Sequence, residues 1–262
     1  MGQPSYFKER SDALAAFLVG FVLAWLQLVF LTWTKSLIPA FGPMWADPLL
    51  ADIDCRLFGV DAWQLVDPFM RPIGALVDTL YALWSLALQF VLIAVLLAPP
   101  SRRKSRVLLT FFLAMAIIGV IGQFLLPSGG PIFWSRLGLG HRFDGLRSEH
   151  VALVAADWLW TKHVGNAVDF ATGISAFPSM HVAMAAWMVL AVQALHPRFR
   201  IISWAYFLVV LLGSIYLGWH YLIDGIGGSI GVILCWCCAA AFLPATRHTN
   251  SAAATPTAPS EA

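Results

Sequence analysis

Histidine, serine and aspartate recur in two short stretches that border apolar runs. The first is Gly173-Ile174-Ser175-Ala176-Phe177-Pro178-Ser179-Met180-His181. Pro178 suits the first turn of a helix, where its missing N–H leaves nothing unpaired. Ser179 and His181 would then share that turn. A helix N-terminus offers free N–H groups and a partial positive charge, which together hold phosphate. A hydroxyl adds a donor, and an imidazolium adds a donor that can release its proton.

The second stretch is Gly213-Ser214-Ile215-Tyr216-Leu217-Gly218-Trp219-His220-Tyr221-Leu222-Ile223-Asp224. His220 and Asp224 are four apart, which predicts one shared helix face. A carboxylate in an apolar run is expensive unless it is paired, and the imidazole of His220 is its natural partner. Such a pair fixes the tautomer and leaves the other ring nitrogen free to attack. Taken singly, each feature has a plainer reading: a helix start at Pro178-Ser179, an interfacial His181, a structural His220–Asp224 tie, and interface anchors at Trp219 and Tyr221. Gly225, Gly227, Gly228 and Gly231 follow and would let another helix approach closely.

The elements that must position these residues are membrane helices. The chain has 262 residues, 60% hydrophobic and 11% charged, with a mean hydropathy of +0.77. A soluble domain would carry far more charge. The net charge of +2 gives no case for nucleic acid. The 12 Trp fit interfacial belts. Cys55 stands alone, and Cys235, Cys237 and Cys238 fall in an apolar run as packing residues, so neither zinc nor a disulfide framework is implied. The first apolar run lacks a small-residue cleavage site and reads as an anchor helix.

At about 20 apolar residues per span, the candidates are 13–33, 74–98, 107–126, 178–195, 201–218 and 219–243. Arg102, Arg103, Lys104 and Arg106 follow the second, and Arg198 and Arg200 follow the fourth. Placing these basic loops inside predicts an all-α polytopic membrane protein with six transmembrane helices and both termini cytoplasmic. Residues 1–245 form one membrane domain, and 246–262, rich in Ala, Thr, Pro and Ser, form a disordered tail. Residues 34–73 and 127–177 are left outside. Within the latter, 148–160 carries apolar residues suited to lie along the membrane surface. Asp78, near the outer end of the second span, has two readings, a cavity-lining residue or a wetted one, and the second is favoured.

Pro-Ser-x-His and His-x-x-x-Asp, in this order and on this side, resemble the signatures of the phosphatidic acid phosphatase type 2 superfamily. Tyr216 to Asp224 is most similar to its inositolphosphotransferase branch, which includes inositol phosphorylceramide synthase. So are Ile53-Asp54-Cys55-Arg56-Leu57-Phe58-Gly59-Val60-Asp61, Tyr81-Ala82-Leu83-Trp84 and Leu126-Pro127-Ser128-Gly129-Gly130-Pro131. The resemblance therefore extends over nearly the whole chain. It implies a metal-independent, cofactor-free phosphoric ester hydrolase or phosphotransferase on a membrane lipid. His220 would be the nucleophile through a phosphohistidine, with Asp224 orienting it and His181 acting as general acid. The substrate-binding candidates are Ser179, Ser214, Tyr221 and Arg136. The implied location is the outer face of a bacterial-type inner membrane, and no oligomeric state is implied.

Two departures accompany the resemblance. The Lys-x6-Arg-Pro element usual after the third span is missing, with Pro127 to Pro131 in its place. Ser214 stands where an arginine is usual. The replacement cation is sought among Arg136, His141, Arg142, Arg147, Lys162 and His163. A non-catalytic transporter or lipid-binding protein, with Asp224 as an ion site, is the alternative reading.

Overall fold

The computed structural model describes residues 3–243, so the predicted tail 246–262 lies outside the described residues. Every regular element among them is helical. The chain runs through α1 (Gln3–Ser36), α2 (Asp47–Phe58), α3 (Ala62–Met70), α4 (Gly74–Ala82), α5 (Trp84–Leu97), α6 (Arg102–Ala116), a π segment and the short α7 (Gln123–Leu125), α8 (His150–Val164), α9 (Met180–Leu195), α10 (Arg200–Tyr216) and α11 (Leu222–Phe242).

Four stretches among the described residues are long and apolar enough to cross a membrane: Arg10–Ser36, Arg102–Leu125, Pro197–Tyr216 and Leu222–Phe242. A fifth is the pair Ala62–Ala82 and Trp84–Leu97, bent by 49° at Leu83. The segment expected at 178–195 is the 16-residue α9. At about 1.5 Å per residue it is some 24 Å long, short for a bilayer core. Its surroundings explain why that suffices. α9 packs against α5, α6, α10 and α11, and nine of its residues are buried. Protein rather than lipid surrounds it. Trp187 is fully buried there, and its indole N–H donates to the Val107 carbonyl at 2.9 Å. α1 is the opposite case, exposing Leu14, Leu18, Val19, Trp25, Leu26 and Phe30 along its length, as a lipid-facing helix does.

The basic loop after α5 gathers at one end of the bundle. Lys104 Nζ donates to the carbonyls of Leu96 and Ala98, at the end of α5. Arg106 stacks on Trp236, 3.9 Å from the ring centroid, and donates to that residue's carbonyl near the end of α11. The C-terminus of α10 and the N-termini of α5, α9 and α11 lie at the other end, as helix direction requires. The segment 34–73, expected as a plain outer loop, folds into α2 and α3, and the apolar stretch 148–160 falls within α8.

Candidate functional site

Helix starts assemble the site. Ser179 is the N-cap of α9, and its hydroxyl accepts the Val182 N–H at 3.3 Å. Pro178 therefore precedes the cap instead of occupying the first turn. The Ser179 N–H donates to the Asp224 carbonyl at 3.0 Å, which ties the two sequence motifs together through backbone. Gly228 permits that approach, since a Cβ there would lie 2.5 Å from the Ser179 carbonyl oxygen.

α11 starts at Leu222, so His220 sits in the loop before it and not on the helix face read from spacing. Asp224 accepts the Tyr221 N–H at 2.9 Å through Oδ2. The same oxygen lies 3.4 Å from His220 Nδ1. That separation satisfies an ion pair but not hydrogen-bond geometry, for His220 Nδ1 and Asp224 Oδ1 have no hydrogen-bond partner among the described residues. Catalytic hydrogen bonds are often this loose before substrate arrives. The His181 and His220 rings are 6.0 Å apart, centroid to centroid. Burial first, then His181 and the Lys35 ammonium, hold the His220 imidazole well below its ordinary range. It is neutral at pH 7, the form a nucleophile needs.

The bend at Leu83 explains the Tyr81-Ala82-Leu83-Trp84 stretch. Tyr81, ending α4, stacks on His181 at 4.9 Å, and Trp84, starting α5, lies against it at 4.5 Å. The Trp84 indole N–H also donates to the His181 carbonyl at 3.0 Å.

His181 and His220 border a cavity of about 450 Å³. Its walls are mostly apolar, with Phe133, Val151, Ala152, Ala155, Leu159, Ile174 and Trp219. Its polar lining is sparse: Lys35, Asp78, Ser85, Ser175 and the two histidines, with Tyr81 and the Trp84 indole. Ligand cavities commonly combine an apolar wall with a few polar groups.

Three carboxylates build the frame. Asp47 accepts the N–H groups of Gly129 and Gly130 at 2.7 and 2.8 Å and the Tyr221 hydroxyl at 2.8 Å. Asp54 accepts the N–H groups of Leu222 and Ile223 at 2.6 and 3.0 Å, capping α11 from α2. Burial raises both carboxyls, and these bonds oppose it. Asp78 accepts the N–H groups of Val151 and Ala152, capping α8. It is 4% exposed, which corrects its reading as a wetted residue. Sequence could not assign these partners, which lie 73 to 174 residues away.

Of the residues singled out from sequence, the structure brings His181, His220 and Asp224 together. The four expected at the substrate, Ser179, Ser214, Tyr221 and Arg136, do not line the cavity, and neither does Asp224, which stands behind His220. Ser179 caps α9. Ser214 is fully buried; its hydroxyl donates to the Leu211 carbonyl at 2.7 Å, and its own carbonyl accepts the N–H groups of Trp219 and His220. Tyr221 is buried on Asp47 and is no interface anchor, whereas Trp219 faces the cavity. Arg136 pairs with Asp157, His141 with Asp144, Lys162 with Asp169, and Arg142 with Asp52 and Asp61. The site residues missed from sequence are Lys35, Tyr81, Trp84 and Ser175. A lysine ending an apolar helix was the available signal for the first. Among the described residues no three His, Cys, Asp or Glu side chains are grouped to hold a metal ion.

A family profile described as the PAP2 superfamily matches residues 50–238, which include both histidines, Asp224 and two of the three frame carboxylates. The chain belongs to the PAP2 superfamily. A curated relative agrees with its inositolphosphotransferase-like branch. The catalytic subunit aur1 of inositol phosphorylceramide synthase from Schizosaccharomyces pombe is 27% identical over 124 residues. That match covers 47% of this chain and 29% of the relative's length, so this chain spans well under two thirds of it. No solved structure matched at the same stringency. Membership in the PAP2 superfamily and the apolar helices make this an integral membrane protein.

Proposed function

We propose that this chain moves a phosphoryl or phosphorylated headgroup from a membrane lipid to water or an alcohol, through a phosphohistidine on His220. The observation that carries the reading is the meeting of His181, His220 and Asp224, from two separate motifs, beside one largely apolar cavity. A neutral His220 attacks phosphorus, forming an N–P bond. The P–O bond to the leaving group breaks, and its electrons stay on that oxygen. His181, protonated as the anionic substrate enters, gives this oxygen that proton. Asp224 stabilises the positive charge on the substituted His220 ring. The acceptor O–H then loses its proton to His181 while its oxygen attacks phosphorus, and the N–P bond breaks to restore His220.

Water as acceptor makes the protein a phosphatase, and an alcohol makes it a transferase. Similarity to aur1 favours the transferase. The reading needs no metal, because hydrogen bonds and the covalent step meet the charge. We place the reaction on the outer face of a bacterial-type inner membrane. Six transmembrane segments, counting the bent pair as one and α9 as another, put the Arg102–Arg106 loop inside and the histidines outside, in line with the positive-inside rule.

The test uses purified protein in detergent without divalent metal. Lipid phosphates and inositol phospholipids are offered with and without ceramide or diacylglycerol, and both free phosphate and new lipids are followed. Turnover should vanish in His220→Ala. Turnover that survives this substitution would refute the phosphohistidine.

A further inference from the structure

The superfamily's usual phosphate-binding cations are absent from the sequence positions that should hold them, yet an anionic headgroup needs a counter-charge in so apolar a cavity. The outer-loop cations do not supply it: Arg136, Arg142 and Lys162 are each engaged with aspartates and none lines the cavity. One Lys or Arg among the described residues does line it, and that is Lys35 at the end of α1.

We propose that Lys35 is the phosphate-anchoring cation of this site, with the Ser175 hydroxyl as its neighbouring donor. Four observations converge. Lys35 shares the cavity wall with His181 and His220. It makes no ion pair with any carboxylate among the described residues. Ser175 lines the same wall, and its hydroxyl oxygen is buried with no hydrogen-bond partner among the described residues. A buried hydroxyl left open in this way marks a place where a ligand can complete it. Finally, the backbone of Lys35 is clamped. A Cβ on Gly173, two residues before Ser175, would lie 2.4 Å from the Lys35 carbonyl carbon, so only glycine lets the two segments touch.

Lys35 lies ahead of residues 50–238, the part matched by the family profile. On this proposal the counter-charge comes from the first membrane helix instead of the loops around the motifs. A lysine is suited to this position. A lysine stem can pack along an apolar wall while its ammonium reaches a polar end. As a point charge it places no strict demand on the angle of the phosphoryl oxygens.

The inference rests on reading the cavity as a phosphoryl-transfer site, and the experiment separates the two. Binding of inorganic phosphate to the purified full chain in detergent is measured by calorimetry, independently of turnover. Lys35→Gln should weaken phosphate binding roughly 10- to 100-fold, as expected for loss of a charge-assisted contact. Lys35→Arg should restore most of it, and Ser175→Ala should weaken it less than Lys35→Gln. A second measurement needs no substitution: phosphate should protect the Lys35 amine from acetylation by an N-hydroxysuccinimide ester, read by mass spectrometry. Equal phosphate affinity in wild type and Lys35→Gln, or unprotected Lys35, overturns the proposal. Lys35-dependent phosphate binding in a chain that turns over no lipid keeps it and sinks the transfer reading instead.

Discussion

Buried polar groups in this protein fall into two regions treated in opposite ways. In the frame, Asp47, Asp54 and Asp78 direct both carboxylate oxygens at backbone N–H groups of distant segments, and a tyrosine hydroxyl completes Asp47. At the cavity and just behind it, His220 Nδ1, Asp224 Oδ1, Ser175 Oγ and the Tyr81 hydroxyl have no hydrogen-bond partner among the described residues, as is also true of Gln27 Oε1, Trp63 Nε1 and Gln123 Oε1 elsewhere. Leaving a buried polar group unmet costs about 1–3 kcal/mol. Stability alone would favour closing the cavity groups as the frame groups are closed. Three of these residues, His220, Ser175 and Tyr81, share one cavity wall, so on the proposed reading a ligand would complete them while the satisfied frame holds the helix starts in place.

The sharpest way to break this contrast is Asp224→Asn. If the open groups serve chemistry, turnover should fall by a factor of about 10³ to 10⁴, the size seen when an orienting carboxylate is neutralised. The midpoint of thermal unfolding should shift little, because the amide oxygen can still accept the Tyr221 N–H. A large loss of stability with modest loss of rate would move Asp224 into the frame.

Asp47→Ala probes the other region. It strips the partner from two glycine N–H groups and the Tyr221 hydroxyl, so unfolding should become easier by about 3–5 kcal/mol, as when one partner of a buried polar cluster is removed. Turnover would fall only through loss of folded protein, read as an unchanged rate per folded molecule at low temperature.

Tyr221→Phe gives the smallest effect. It removes one hydrogen bond to a carboxylate, about 1.5–3 kcal/mol at most, because Asp47 keeps its two backbone donors. Substrate affinity should not change. A raised KM in this variant would return Tyr221 to the substrate side.

Much of the site was legible because its signals are local. Apolar runs announced the long helices but not α2, α3 or the bend at Leu83. Two motifs announced His181, His220 and Asp224, whose residue types have few other uses beside a membrane. Ser179, Ser214, Tyr221 and Arg136, expected at the substrate, make contacts within the protein that no spacing reveals. Ser179 and Ser214 stand in good positions for phosphate, but helix ends and tight turns compete for the same hydroxyls and carbonyls. Arg136 was available on paper and is engaged by Asp157. Lys35 was passed over because a lysine at the end of an apolar helix is ordinarily an interfacial anchor.

The sequence by itself determined that the chain is helical and membrane-embedded, and that a His–His–Asp set sits at helix starts. Those properties depend on composition and on neighbours within a turn or two. Only the tertiary structure decided which acids are frame and which is site, and which cation faces the histidines. These assignments rest on contacts between residues as far apart as Asp47 and Tyr221, or Lys35 and Gly173. Such pairs meet only when helices pack, and whether a polar group is satisfied depends on what packing brings to it.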